Sequence, residues 1–146
     1  MKTNNQFTVN LPDGWNDATV HLFMGPEDSG RQHMISMAID NEAGDTELYD
    51  YAQERIELAL ESMQGAEIVK EEEKSLPDGR AIYECVFKWI PQDDMIIFKK
   101  QVFMIVGGVG YTFFADFSKK TIKTIGNQVD AIINSLIPSS TQENRE

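Results

Sequence analysis

Between Arg80 and Phe117 the chain carries long β-patterned runs that are apolar on both alternations. In the stretch from Ile96 to Val106, one alternation holds Ile96, Phe98, Val102, Met104 and Val106. The other holds Ile97, Phe103 and Ile105 beside Lys99 and Gln101. A strand that meets water on one side alternates apolar with polar residues, so a run that is apolar on both sides asks for cover on both. Helical periodicity is available in only two places, described below. An apolar sheet face that no helix covers has to pair with a second copy, bind a partner or aggregate.

The rest of the chain sets out the elements around those strands. An opening strand around Phe7 to Leu11 stops at the Pro12-Asp13-Gly14 turn, with Trp15 after it. Thr19 to Met24 and Gln32 to Ile39 are β-rich runs joined by a loop from Gly25 to Gly30. Asp45 or Thr46 is placed to cap a helix running to about Met63. Leu48, Ala52, Ile56, Ala59 and Met63 form its apolar stripe, with Tyr51 at the edge. Gly65 ends it, and the charged run Ile68 to Lys74 reads as a strand near a sheet edge. Arg80 to Trp89, Met95 to Val106 and Val109 to Phe117 then follow as hairpin strands, turning at Pro91 to Asp94 and at Gly107-Gly108. Ser118 is placed to cap a last helix through Ile122, Ile125, Val129, Ile132, Ile133 and Leu136, which Pro138 stops.

These elements predict an α+β fold. It is a single domain over residues 1–138, with a six- or seven-stranded antiparallel sheet, two main flanking helices and a polar tail over 139–146. A sheet of that many strands is roughly 30 Å across, and a helix with its side chains is about 10 to 12 Å in diameter. Two helices therefore leave a strip of sheet bare, however they are distributed.

Charge and composition narrow the partners. A net charge of −11 argues against nucleic acid and anionic membrane surfaces, which need clustered Lys and Arg. Lys99, Lys100 and Gln101 interrupt the richest apolar stretch before it approaches the roughly 18 residues of a membrane span, so direct membrane insertion is not expected. Residues Met1 to Phe7 carry no signal-like apolar stretch, which predicts a cytoplasmic protein. The single cysteine, Cys85, reads as a small core residue.

The residues for catalysis do not assemble on paper. The two histidines, His21 and His33, fall inside predicted strands, and no Gly-x-Ser-x-Gly elbow is present. No Cys or His pair has metal-ligand spacing, and Gly107-Gly108-Val109-Gly110 joins two strands without the helix and lysine of a phosphate loop. Glu72 and Glu73 point to opposite faces of one strand. The expectation is a non-enzymatic binding protein without cofactor or metal.

Several short motifs carry a family resemblance. The opening Leu11-Pro12-Asp13-Gly14-Trp15-Asn16-Asp17, Asp50-Tyr51 at a helix start, the Asp78-Gly79-Arg80-Ala81 turn, and Trp89 followed by Lys100-Gln101-Val102-Phe103 resemble the DcrB-like family. That family has the PsbP and Mog-type fold, an antiparallel sheet with flanking helices, and the resemblance spans roughly Phe7 to Pro138. In form the chain is similar to the Eag chaperones of type VI secretion, which are dimers that bind the N-terminal transmembrane helices of effectors. The resemblance thus implies a homodimer whose partner is the hydrophobic N-terminal helices of a secreted effector. It places Val20, Leu22, Ser36, Ala38, Ile97 and Gln101 at the binding face, with Gln101 hydrogen-bonding the client and Lys99 putting a charge in or beside the groove. The alternative implied by the same resemblance is a protein-binding module of another kind, either a Mog-like regulator of a small GTPase or a DcrB-like envelope factor.

Overall fold

The computed structural model describes residues 8–28, 31–92 and 95–138. Among these residues it has the expected α+β architecture. The strands are β1 (Val20–Asp28), β2 (Arg31–Asp40), β3 (Glu67–Ser75), β4 (Ala81–Gln92), β5 (Met95–Val106) and β6 (Val109–Phe117). They form one antiparallel sheet in the order β1-β2-β6-β5-β4-β3. The helices are α1 (Leu48–Ser62), α2 (Thr121–Thr124) and α3 (Gly126–Asn134).

The β5–β6 turn is a two-residue hairpin in which Gly107 and Gly108 both hold positive φ, 58° and 80°. Such a turn demands left-handed backbone at both positions, and only residues such as glycine adopt it cheaply. It fixes the central register, with Phe103 opposite Thr112 and Gln101 opposite Phe114.

The two main helices lie on opposite faces and are offset sideways. Helix α1 sits over β4 and β5, packing Tyr51, Ala52, Ile56 and Met63 against Tyr83, Cys85, Phe87 and Phe103. Helix α3 sits over β6, where Ile125, Val129 and Ile133 meet Ile35, Met37, Tyr111, Phe113, Ala115 and Phe117. Each face is therefore covered in part, and the two uncovered parts are treated differently.

On the α3 face, the part over β3 and β4 is closed by charge. Glu84 is 2% exposed, and its carboxylate lies 2.6 Å from Lys100 Nζ, 2.8 Å from Lys74 Nζ and 3.2 Å from Lys70 Nζ. Lys100 also reaches Asp130 on α3, tying that helix to the sheet. The three ammonium groups converge on the one buried acid.

Several sequence expectations change in detail. Residues 8–11 form no strand, and Phe7 lies outside the described residues; among the described residues the sheet has six strands, the lower of the two expected numbers. The turn after them does form, with Trp15 donating to the Pro12 carbonyl at 3.1 Å. Residues Gly25 to Asp28, expected as loop, continue β1 through a bulge between Met24 and Glu27. Pro26 fits there because β1 is an edge strand. Strand β4 likewise runs past Trp89 to Gln92, through Pro91.

Helix α1 is capped by neither Asp45 nor Thr46. Its N-cap is Glu47, because Gly44 donates to Gly108 at 2.9 Å and Thr46 to Ala43 at 3.2 Å, which holds 43–46 as a turn against the β5–β6 hairpin. The last helix is split at Ile125, just before Gly126, a residue that weakens helix interiors. Ser118 does serve its start: its hydroxyl accepts from the Thr121 amide at 3.1 Å, and the Thr121 hydroxyl accepts from the Ser118 amide at 2.8 Å.

Glu84 and Gly110 both bear on stability. Burial alone would raise the Glu84 carboxyl, but the Lys100 and Lys74 ammonium groups outweigh it and hold the group at about 2, against an ordinary 4.5. The stabilisation is thus complete above pH 4.5 and is lost as the pH falls towards about 2, on the order of 2 kcal/mol in urea titrations run at descending pH. Glu84→Gln, which leaves Lys100 facing a neutral group, should cost about 3 kcal/mol at neutral pH in the same titration. Gly110→Ala should also destabilise by about 2 kcal/mol, since its Cβ would meet the Tyr51 hydroxyl at 2.2 Å. A lowered thermal midpoint would register that clash.

Candidate functional site

The part of the α1 face that α1 leaves uncovered lies over β1, β2 and β6, and its side chains follow from register. Leu22 pairs with Ser36, Ser36 with Phe114, and Phe114 with Gln101, so these four side chains stand in one row across four strands. Val20, Ala38 and Thr112 form the row beside it and lead to Phe103. On the other side Met24 pairs with Met34, while Asp116 pairs with Lys99. Ile97 pairs with Trp89 one row further along.

The structure thus brings Val20, Leu22, Ser36, Ala38, Ile97 and Gln101 onto one face. Val20 and Leu22 are each 55% exposed and Met24 is 64% exposed, which are high values for apolar side chains inside a sheet. They are not core. Ser36, Ala38, Ile97 and Gln101 are half-buried. Residues missed by the sequence reading complete the surface: Met24, Met34, Phe114, Trp89 and, on α1, Leu58. The strand order puts Phe114 between Ser36 and Gln101.

Helix α1 makes the wall of a trough along this floor. Tyr51, Arg55, Leu58, Ala59, Ser62 and Met63 line it on the helix side, facing Ala38, Thr112, Phe114, Gln101 and Trp89 across about 620 Å³. A second hollow of about 300 Å³ continues from it past Lys99 and Phe114, bounded by Leu22, Met34, Ser36 and Ile97. The β1 side is open. The Trp89 indole donates to the Gln64 carbonyl at 3.1 Å, which fixes the ring beside the end of α1.

Charges within the trough are paired. At one end the Arg55 guanidinium stacks 3.5 Å over the Tyr51 ring and reaches Asp40 at 2.9 Å, while the Tyr51 hydroxyl donates to the same carboxylate at 3.1 Å. Burial pushes the Tyr51 hydroxyl up, so it remains a donor. Lys99, expected to put a charge in or beside the groove, does line it, and binds both oxygens of Asp116, at 3.0 and 2.9 Å, while lying 5.8 Å from the Trp89 ring centroid.

Among the described residues, no cysteine or histidine lines the trough beside α1. Cys85 is buried beneath α1, and burial pushes its thiol up to about 12. His21 stacks on Phe23, while His33 is buried near Phe117 on the α3 side. Among the described residues no group of His, Cys, Asp or Glu has the geometry to hold a metal ion, and no helix is long and apolar enough to cross a membrane. What the surface can do chemically is bury apolar area and offer hydrogen bonds from Gln101 and Ser36.

The DcrB family profile matches residues 7–135. The chain belongs to the DcrB family. No curated protein sequence matches it. Among solved structures, this DcrB-family chain is similar to PA94 from Pseudomonas aeruginosa, a protein of unknown function. The two overlay with a TM-score of 0.71 at 19% identity, over 88% of each chain. It is also similar to the solution structure of cyanobacterial PsbP (CyanoP) from Synechocystis sp. PCC 6803. There the TM-score is 0.56 at 13% identity, covering 86% of this chain and 96% of the other. The second overlay establishes a PsbP-like fold.

Exposure makes a prediction that separates face from core. Val20→Asn and Leu22→Asn should each change unfolding free energy by less than about 1 kcal/mol, because their side chains already meet water. Val102→Asn, by contrast, alters a residue 2% exposed and should cost at least about 3 kcal/mol. Urea unfolding of the three variants checks both.

Proposed function

We propose that this DcrB-family chain is a cytoplasmic, homodimeric chaperone that shields the hydrophobic N-terminal helices of a type VI secretion effector before export. The observation that carries the reading is the open apolar trough between α1 and the β1-β2-β6 floor. Its width is that of a helix: β5 to β1 spans three strand spacings, about 14 Å, against about 10 to 12 Å for a helix with side chains. Its floor mixes aliphatic residues with Gln101, Ser36 and Thr112, which suits a transmembrane helix that presents small and polar packing positions.

Binding of this kind needs no nucleotide, metal or covalent step. Two water-exposed apolar surfaces become one buried interface, at roughly 25 cal/mol per Å² less the ordering costs of association. The acidic remainder of the surface, from a net charge of −11, keeps a loaded complex in solution. In this mechanism Val20 and Leu22 supply contact on the open side, Ala38 and Ile97 the floor, and Gln101 a hydrogen bond to client backbone or side chain.

The test is co-expression of the full chain with the N-terminal hydrophobic segment of an effector encoded beside it. The expected result is co-purification together with a gain in the segment's solubility. Leu22→Asp should weaken the complex about tenfold or more, the scale of one buried leucine, without unfolding the chain. Absence of co-purification and of any solubility gain would overturn the reading.

A further inference from the structure

The Lys99–Asp116 pair stands on the apolar face near the end of β6, with apolar side chains on several sides. Met24 and Met34 occupy the neighbouring row positions on β1 and β2, Phe114 and Gln101 lie one row to one side, and Ile97 and Trp89 one row to the other. A charge pair surrounded in this way governs what can lie across it. An unbroken apolar helix laid over the pair would strip water from both charges and return no hydrogen bond, which costs free energy at each polar atom left without a partner.

The two partners are not equally satisfied. Lys99 Nζ gives two of its three donors to Asp116 and lies near Trp89, and the lysine side chain is 25% exposed. The Asp116 side chain is 56% exposed and keeps acceptor capacity towards the open hollow beside Leu22, Met34 and Ser36. With the chain at −11 overall, the free valence and the long-range field both favour an incoming cation.

We infer that Asp116, held in place by Lys99, determines specificity within the trough: it selects a hydrophobic helix that carries a lysine or arginine part-way along its apolar run. This deepens the chaperone reading above and rests on it. The incoming ammonium or guanidinium bonds Asp116 on the side away from Lys99, while Gln101, two residues from Lys99 on the same face, reaches the neighbouring polar atoms of the client. The apolar residues before and after the client's cation cover Val20 and Leu22 at one side and Met24, Met34 and Ile97 at the other.

The experiment uses the purified full chain and fluorescently labelled synthetic helices of about 20 Leu and Ala residues, with polar flanks and a central Ala, Lys or Glu. Affinities are read by anisotropy. The unaltered chain is expected to bind the Lys peptide about tenfold tighter than the Glu peptide, as for opposite against like charge in a partly desolvated site. In Asp116→Asn, which keeps the side chain's size, that ratio should collapse to within about threefold. In the double variant Lys99→Met with Asp116→Leu the all-apolar peptide should become the tightest ligand. Equal ratios in the unaltered chain and in Asp116→Asn would overturn the inference. Tight binding of all three peptides without discrimination would overturn it while leaving the helix-carrier reading intact, and no binding of any peptide would overturn both.

Discussion

Six strands separate their edges by roughly 24 Å, and each face of this sheet receives one main helix of about half that width. Everything distinctive about the molecule follows from that shortage and from the sideways offset between α1 and α3. Had the two helices sat back to back, both faces would be half-covered in the same place. Instead α1 shelters β4 and β5, α3 shelters β6 on the other side, and the uncovered regions fall at opposite ends of the sheet.

The two regions illustrate two solutions to the same physical problem. Over β3 and β4 on the α3 face, a buried glutamate collects Lys70, Lys74 and Lys100, and Ile82 and Val86 beside it are buried. Such a cover is permanent, because removing it would leave Glu84 or a lysine without its counterion. Over β1, β2 and β6 on the α1 face nothing equivalent has been built. Valine, leucine, two methionines and a phenylalanine stand open beside a helical wall, and the local charges are paired with each other rather than folded over the apolar side chains. A face that stability alone had shaped would carry polar residues there; this one is suited to an exchangeable cover.

Much of this was legible in the chain itself, for identifiable reasons. Strands β5 and β6 could be bounded to the residue because Gly107-Gly108 punctuates two strongly apolar runs, and local turn chemistry is a short-range property. Alternation along each strand groups Val20 with Leu22, Ser36 with Ala38 and Ile97 with Gln101, whereas the family resemblance, and then the strand pairing, put the three groups on one face. The failures were equally physical. Pro26 and Pro91 read as breakers yet lie within strands, since an edge or a strand end spares the donor that proline lacks. The strand expected around Phe7 to Leu11 does not form over residues 8–11.

The sequence by itself determined the elements, their apolar surplus and which side of each strand a residue takes, because those depend on periodicity and turn geometry along the chain. Tertiary structure alone decided that β6 lies between β2 and β5, which carries Phe114 between Ser36 and Gln101 and sets Asp116 against Lys99. It also decided which face each helix covers. Both are long-range choices, made by packing between segments distant in the chain, and local residue preferences do not encode them.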